Sequence, residues 1–127
     1  MFQTIDHLAL HVEDAEHVAG FYESVLGFER TFAHPSSRGE PIIYMRLGPT
    51  MIELTQHKPT EPMSGFHLCL ATPDMTLACS RLRLAGLKLL QPARPTTARV
   101  PAEAGWHRAV FQGPAGEMIE LRGPLGA

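Results

Sequence analysis

Two histidines and two glutamates recur in this sequence in matching surroundings. His7 opens the phrase His7-Leu8-Ala9-Leu10, and His67 opens His67-Leu68-Cys69-Leu70, 60 residues later. Glu53 lies in Met51-Ile52-Glu53-Leu54 and Glu120 in Met118-Ile119-Glu120-Leu121, 67 residues apart. Each glutamate phrase follows a Gly-Pro, at Gly48-Pro49 and Gly113-Pro114. Imidazole nitrogens and carboxylates together suit a divalent ion of borderline character, such as zinc, nickel, cobalt, manganese or iron, and two carboxylates offset the charge of the dication. A lone strand histidine is commonly a hydrogen-bonded surface residue, and a lone strand glutamate commonly faces solvent. The repetition sets these four apart, because a random surface pattern has no reason to place a His early and a Glu late in both halves of a chain.

Strand periodicity decides whether these residues can share a surface. Leu8, Leu10 and Val12 alternate with His7, Ala9 and His11. Ile52 and Leu54 alternate with Met51, Glu53 and Thr55, and Ile119 and Leu121 alternate with Met118, Glu120 and Arg122. If the aliphatic members pack beneath helices, His7, Glu53, His67 and Glu120 line the opposite sheet surface. A helix is expected after Asp14, which can cap it, with an apolar stripe of Val18, Phe21, Tyr22, Val25 and Leu26 and a stop at Gly27. A second is expected from a Thr72 cap with Pro73 at its first position, running through Met75 to Leu84 before Gly86. The remaining strands are expected at 28–33, 42–47, 50–56, 87–91, 107–112 and 117–122, with loops at 34–40 and 92–106. About eight extra residues enter the second half before its closing strand, in a stretch containing Pro92, Pro95 and Pro101.

The 127 residues are 44% apolar and 19% charged, which suits a single α+β domain, residues 1–127, whose two halves, about 1–58 and 64–123, pack on each other. Eleven Lys and Arg against 13 Asp and Glu exclude the basic footprint of a nucleic-acid binder. No apolar stretch approaches the roughly 18 residues of a membrane span, and Met1 to Leu10 lacks the pattern of a signal peptide, so a cytoplasmic location is expected. Cys69 and Cys79 form no disulfide framework and are expected to be reduced.

Taken together, Ile5-Asp6-His7-Leu8-Ala9-Leu10, Phe21-Tyr22-Glu23-Ser24-Val25-Leu26-Gly27-Phe28, Met51-Ile52-Glu53-Leu54, Phe66-His67-Leu68 and Gly113-Pro114-Ala115-Gly116-Glu117-Met118-Ile119-Glu120-Leu121 resemble the glyoxalase, bleomycin-resistance and extradiol-dioxygenase superfamily, the vicinal oxygen chelate proteins. The resemblance spans essentially the whole chain. It implies two tandem βαβββ modules with curled mixed sheets forming a cleft. It implies four metal ligands, at His7, Glu53, His67 and Glu120, matching the metal-dependent members similar to glyoxalase I. The function so implied is a divalent-metal-dependent lyase or isomerase that moves a proton next to a chelated carbonyl or enediolate of a small molecule, a carbonyl compound or thiol adduct, with Glu120 or Glu53 as the mobile base and Glu120 preferred. A homodimer is implied as well. An Fe(II) extradiol-type dioxygenase would use His7, His67 and Glu120 and leave Glu53 without a role. A metal-free protein that binds or sequesters a drug is the remaining alternative.

The chain departs from glyoxalase I in carrying His11 where those relatives have an arginine, and Gln56-His57-Lys58-Pro59 in place of an Asn-Trp-Gly phrase. Both departures count against glutathione as the thiol partner. His11 shares the expected face of His7, and imidazole is a side-chain type suited to acid or base catalysis near neutral pH, so it is a further catalytic candidate beside a plain rim position. Epimerases acting on acyl thioesters usually have Gln at the position of Glu53. Cys69 and Arg122 follow His67 and Glu120 by two, on the same expected face; packing and carboxylate pairing are their plainer roles. Arg94, Arg99, His107 and Arg108 surround Trp106 in a segment able to close over an acidic ligand or simply to stay solvated.

Overall fold

The computed structural model describes residues 1–58 and 66–126. The chain divides into two compact units, Met1–Glu61 and Pro62–Ala127. The expected start of the second half near residue 64, and Pro59, lie outside the described residues.

The first unit contains β1 (Leu8–Val12), α1 (Ala15–Ser24), β2 (Glu29–Pro35), β3 (Pro41–Leu47) and β4 (Thr50–Gln56). Its sheet has the order β1-β4-β3-β2, with β1 parallel to β4 and the other pairs antiparallel. The second unit repeats this with β5 (His67–Ala71), α2 (Met75–Leu84), β6 (Leu89–Pro95), β7 (His107–Gln112) and β8 (Met118–Gly123), in the order β5-β8-β7-β6. The result is the expected α+β architecture of two tandem βαβββ modules, each built on an open, four-stranded mixed sheet.

Asp14 caps α1 by accepting a hydrogen bond from the His17 N–H, as its position in the sequence suggests. Val18, Ala19 and Tyr22 are buried, while Phe21, Val25 and Leu26 are only partly covered. Gly27 and Gly86 follow the two helices with φ of 80° and 87°, a left-handed backbone that a side chain at either position would strain. The second helix begins later than the Thr72-Pro73 signal suggests. Asp74 caps it instead, accepting from the Leu77 N–H, while the Thr72 hydroxyl accepts from the Asp74 N–H. Thr72 therefore organises the turn before the cap.

The helix-facing cores follow the alternation. Leu10, Val12, Ile43, Met45, Ile52 and Leu54 are buried in the first unit, and Ala109, Phe111, Ile119 and Leu121 in the second. Two strands run longer than expected: β2 continues to Pro35 opposite Pro41, and β6 continues to Pro95 opposite His107. Residues 34–35 and 92–95 are therefore strand rather than loop. β6 accommodates its prolines through two register shifts, and prolines are tolerated at such irregular edge positions. Most of the extra length of the second half enters between β6 and β7, at residues 96–106, against residues 36–40 in the first. That insertion includes a short 3-10 turn, Pro101–Glu103, which carries a buried glutamate.

Candidate functional site

Strand register places the repeated His and Glu in equivalent positions. Ala9, two residues after His7, is the β1 partner of Glu53 on β4; Cys69, two residues after His67, is the β5 partner of Glu120 on β8. In both units the flanking Ile and Leu point toward the helix, so both carboxylates emerge on the helix-free face.

In the first unit His7 Nε2 lies 2.9 Å from Glu53 Oε2. The other ring nitrogen, Nδ1, lies 2.8 Å from Asp6 Oδ2. A carboxylate on Nδ1 fixes the tautomer and leaves Nε2 as the donor atom, the arrangement that orients a metal-binding histidine. The contact with Asp6, together with the charge of Glu53, raises the His7 pKa above its ordinary 6.5, with desolvation opposing. Glu53 is held in turn by the Thr55 hydroxyl, which donates to Oε1 at 2.5 Å, and by the Tyr44 hydroxyl. Burial pushes the Glu53 carboxyl up, but these two hydrogen bonds and the nearby His7 outweigh it and hold the group below its ordinary value. The same carboxylate pushes the Tyr44 phenol up. Tyr44 is the β3 partner of Glu53 and meets the His7 ring edge-on at 5.6 Å between centroids.

The second unit repeats the pair with different support. His67 Nε2 lies 3.4 Å from Glu120 Oε2. The other oxygen, Oε1, accepts from Arg108 Nε at 3.1 Å, and Arg108 Nη1 donates to Gln91 Oε1 at 2.6 Å. Cys69 is exposed beside this pair; partial burial and the Glu120 charge push its thiol up, against the arginines, so it is not an activated nucleophile.

Each His–Glu pair fits two positions on a divalent ion in donor type and spacing. Two ligand atoms each about 2.1 Å from a common ion, at octahedral or tetrahedral angles, are roughly 3.0 to 3.4 Å apart, and the observed His–Glu separations are 2.9 and 3.4 Å. Among the described residues no group of three or more His, Cys, Asp or Glu is placed to hold a metal ion. Each unit holds one such His–Glu pair.

The other residues singled out in the sequence have simpler surroundings. His11 is exposed and its ring lies 6.0 Å from that of His57, which Arg38 contacts at Nδ1. Arg122 pairs with Glu103 at 3.2 Å, donates to the Thr97 carbonyl and lies over Trp106. Arg99 contacts Glu103 through both its backbone and its guanidinium. Sequence reasoning missed Tyr44 and Glu103. Tyr44 becomes a partner of Glu53 only through the β3–β4 register, whereas the spacing of Arg99 and Glu103, four residues apart, was a local signal available for the second.

The chain belongs to the Glyoxalase/Bleomycin resistance protein/Dioxygenase superfamily, whose family model matches residues 4–121. Among solved structures it is similar to UcmS2, with a TM-score of 0.75 and 18% identity over 96% of this chain and 98% of the other. A variant of the fosfomycin resistance protein FosX from Listeria monocytogenes, complexed with Mn(II) and a dihydroxypropylphosphonic acid, matches with a TM-score of 0.73 and 17% identity over 100% of this chain and 93% of the other. TnmS3, an antibiotic binding protein from Streptomyces sp. CB03234, matches with a TM-score of 0.68 and 24% identity over 97% and 99%. Comparison with curated proteins gives no match. At these identities the structural likenesses establish the fold. Among the described residues no helix is long and apolar enough to cross a membrane.

Proposed function

We propose that this protein is a divalent-metal-dependent enzyme of the glyoxalase type, in which His7, Glu53, His67 and Glu120 hold the ion and a proton is moved next to a chelated oxygen of a small molecule. A single observation carries the proposal: each unit sets a His Nε2 against a Glu Oε2, at 2.9 and 3.4 Å, from the same strand register. The Mn(II) in the FosX complex agrees with a divalent ion on this fold. A bound ion would supply Lewis-acid polarisation of a carbonyl or enediolate oxygen.

The protein's own groups divide the remaining work. Asp6 holds His7 with Nε2 presented, and Thr55 and Tyr44 fix the Glu53 carboxylate in its ionised form. Glu53 is thus suited to a fixed ligand. Glu120, with one guanidinium on one oxygen, has fewer hydrogen-bond anchors and is the base that takes and returns the substrate proton. His11 stands on the same face of the first sheet as a secondary acid or base. Glu53 and Glu120 occupy equivalent places, which favours four ligands over the three of an extradiol dioxygenase. The active protein is proposed to be a cytoplasmic homodimer acting on a small carbonyl compound or thiol adduct.

A second function has its own support. The guanidinium on Glu120 satisfies a carboxylate without any metal, and TnmS3 is an antibiotic binding protein of the same fold. The test is elemental analysis of untagged protein beside a Glu120→Ala variant. About one divalent ion per four-ligand site, lost in the variant, supports the enzyme. No ion, and no uptake of nickel, zinc, cobalt, manganese or iron, overturns it in favour of metal-free binding.

A further inference from the structure

The helix-free face of the second sheet carries a row of arginines across three adjacent strands. Arg94 on β6 is the register partner of Arg108 on β7, which is the partner of Arg122 on β8. Directly opposed residues project from the same face. Like charges so placed repel, and a row of three persists only where something compensates. Two carboxylates do so in part: Glu120 takes Arg108, and the buried Glu103 takes Arg122 and the neighbouring Arg99. Four guanidiniums against two carboxylates leave an excess of two positive charges. Arg94 makes no hydrogen bond or ion pair among the described residues. Arg122 Nε is buried without an acceptor. A buried donor on a charged group without a partner is costly, so this atom calls for an acceptor.

The corresponding face of the first unit is built differently. There His7, Tyr44 and Glu53 satisfy one another, and Tyr44 occupies the same place opposite Glu53 that Val110 occupies opposite Glu120. The row that matches the arginines there is His34, Ile42 and Thr55, so among the described residues the charge excess belongs to the second unit. Glu103 reinforces it as a support. Its hydrogen bonds from the Arg99 side chain and backbone hold its carboxyl down to about 2, so it stays ionised and keeps Arg99 and Arg122 in place.

We infer that Arg94, Arg108 and Arg122 form a binding site for a dianionic tetrahedral oxyanion, the phosphate or phosphonate group of a small molecule. A planar monocarboxylate would leave one positive charge uncompensated, whereas a dianion matches the excess, and its tetrahedral oxygens can accept from guanidiniums on three neighbouring strands. Arg108 links this site to Glu120, so an oxyanion that draws Arg108 toward itself frees the carboxylate proposed above as the base. That last consequence rests on the proposed function; oxyanion binding does not.

Trp106 is the sole tryptophan, and its ring lies under the Arg122 guanidinium at 6.0 Å, so its fluorescence reports the site. Metal-free protein is titrated with methyl phosphate and with methylphosphonate at constant ionic strength, with sodium chloride and acetate as controls. A saturable change with a Kd of about 1 mM or tighter is expected for at least one of the two, and the preferred one identifies the source of the group. In Arg108→Gln the affinity falls at least about tenfold, the order set by one charge-assisted hydrogen bond. Arg94→Gln, which loses no partner among the described residues and should fold as the parent does, also weakens binding. No saturation with either ligand, an equal response to chloride or acetate, or unchanged affinity in Arg94→Gln and in folded Arg108→Gln overturns the inference. Because the protein is free of metal, binding without metal uptake would sink the four-ligand enzyme and leave this site standing, and the reverse result would do the opposite.

Discussion

Leu10→Ala tests the strand orientation on which the location of His7 depends. Leu10 is fully buried on the helix side of β1, whereas Leu8, two residues earlier on the same side, is 42% exposed. Removing the equivalent of three methylene groups costs about 2.4 kcal/mol in transfer free energy at roughly 0.8 kcal/mol each. The cavity left beneath α1 raises the loss to about 3 to 5 kcal/mol for Leu10. Leu8→Ala, with nearly half of its side chain already in water and no closed cavity to leave, should cost about 1 kcal/mol. For a chain of this length each kcal/mol lowers the melting temperature by about 3 to 5 °C, so the two variants should differ by roughly 10 °C. Urea and thermal unfolding followed by far-ultraviolet circular dichroism measure both. Equal losses, or a loss below about 1 kcal/mol for Leu10→Ala, would refute the orientation of β1. His7, Ala9 and His11 would then no longer occupy the face opposite the helix, and the pairing of His7 with Glu53 would fall with them.

Three further outcomes follow from the same geometry. Glu103 titrates from its ordinary 4.5 in the unfolded chain to about 2 when folded, so its contribution is present above about 4.5 and is lost as pH falls toward 2; Glu103→Gln should flatten the pH dependence of the urea midpoint across that window, and an unchanged acid limb contradicts the Arg99 and Arg122 contacts. His7 has a raised pKa in the folded protein, so its stabilisation is complete below 6.5 and disappears as pH rises through the folded value; proton NMR titration of metal-free protein should show the value falling in Asp6→Asn and, by less, in Glu53→Gln. A Cβ on Gly123 would stand 1.9 Å from the Thr72 carbonyl oxygen, a backbone atom that cannot move aside cheaply, so Gly123→Ala should cost at least about 1 to 3 kcal/mol in the urea unfolding of the chain, and a neutral effect would show that the β8 end is placed wrongly.

Much of this protein was legible without coordinates. Alternation of His7, Ala9 and His11 with Leu8, Leu10 and Val12, and of Glu53 and Glu120 with their Ile and Leu neighbours, fixed which side chains face the helices, because strand periodicity is a local property of the chain. The repeat gave two modules of the same design. Asp14 and Gly27 marked the ends of α1 through capping and left-handed backbone chemistry, which are equally local. Thr72 misled for the same reason: Thr, Pro and Asp in succession offer competing caps, and the choice of Asp74 depended on how the turn hydrogen-bonded, with β8 and the chain beyond it also engaged.

Tertiary structure decided the partners. Tyr44 on Glu53, Arg108 on Glu120 and Arg122 on Glu103 arise from cross-strand register and from the course of the 96–106 insertion. These relations join residues distant in sequence, and a shift of one residue in pairing would turn every one of them to the other face. The row of Arg94, Arg108 and Arg122 is the clearest case. Its members are scattered by 14 residues at each step in the sequence, and only the hydrogen bonding of β6, β7 and β8 sets their charges side by side, because strand pairing, unlike strand periodicity, is a property of the folded chain as a whole.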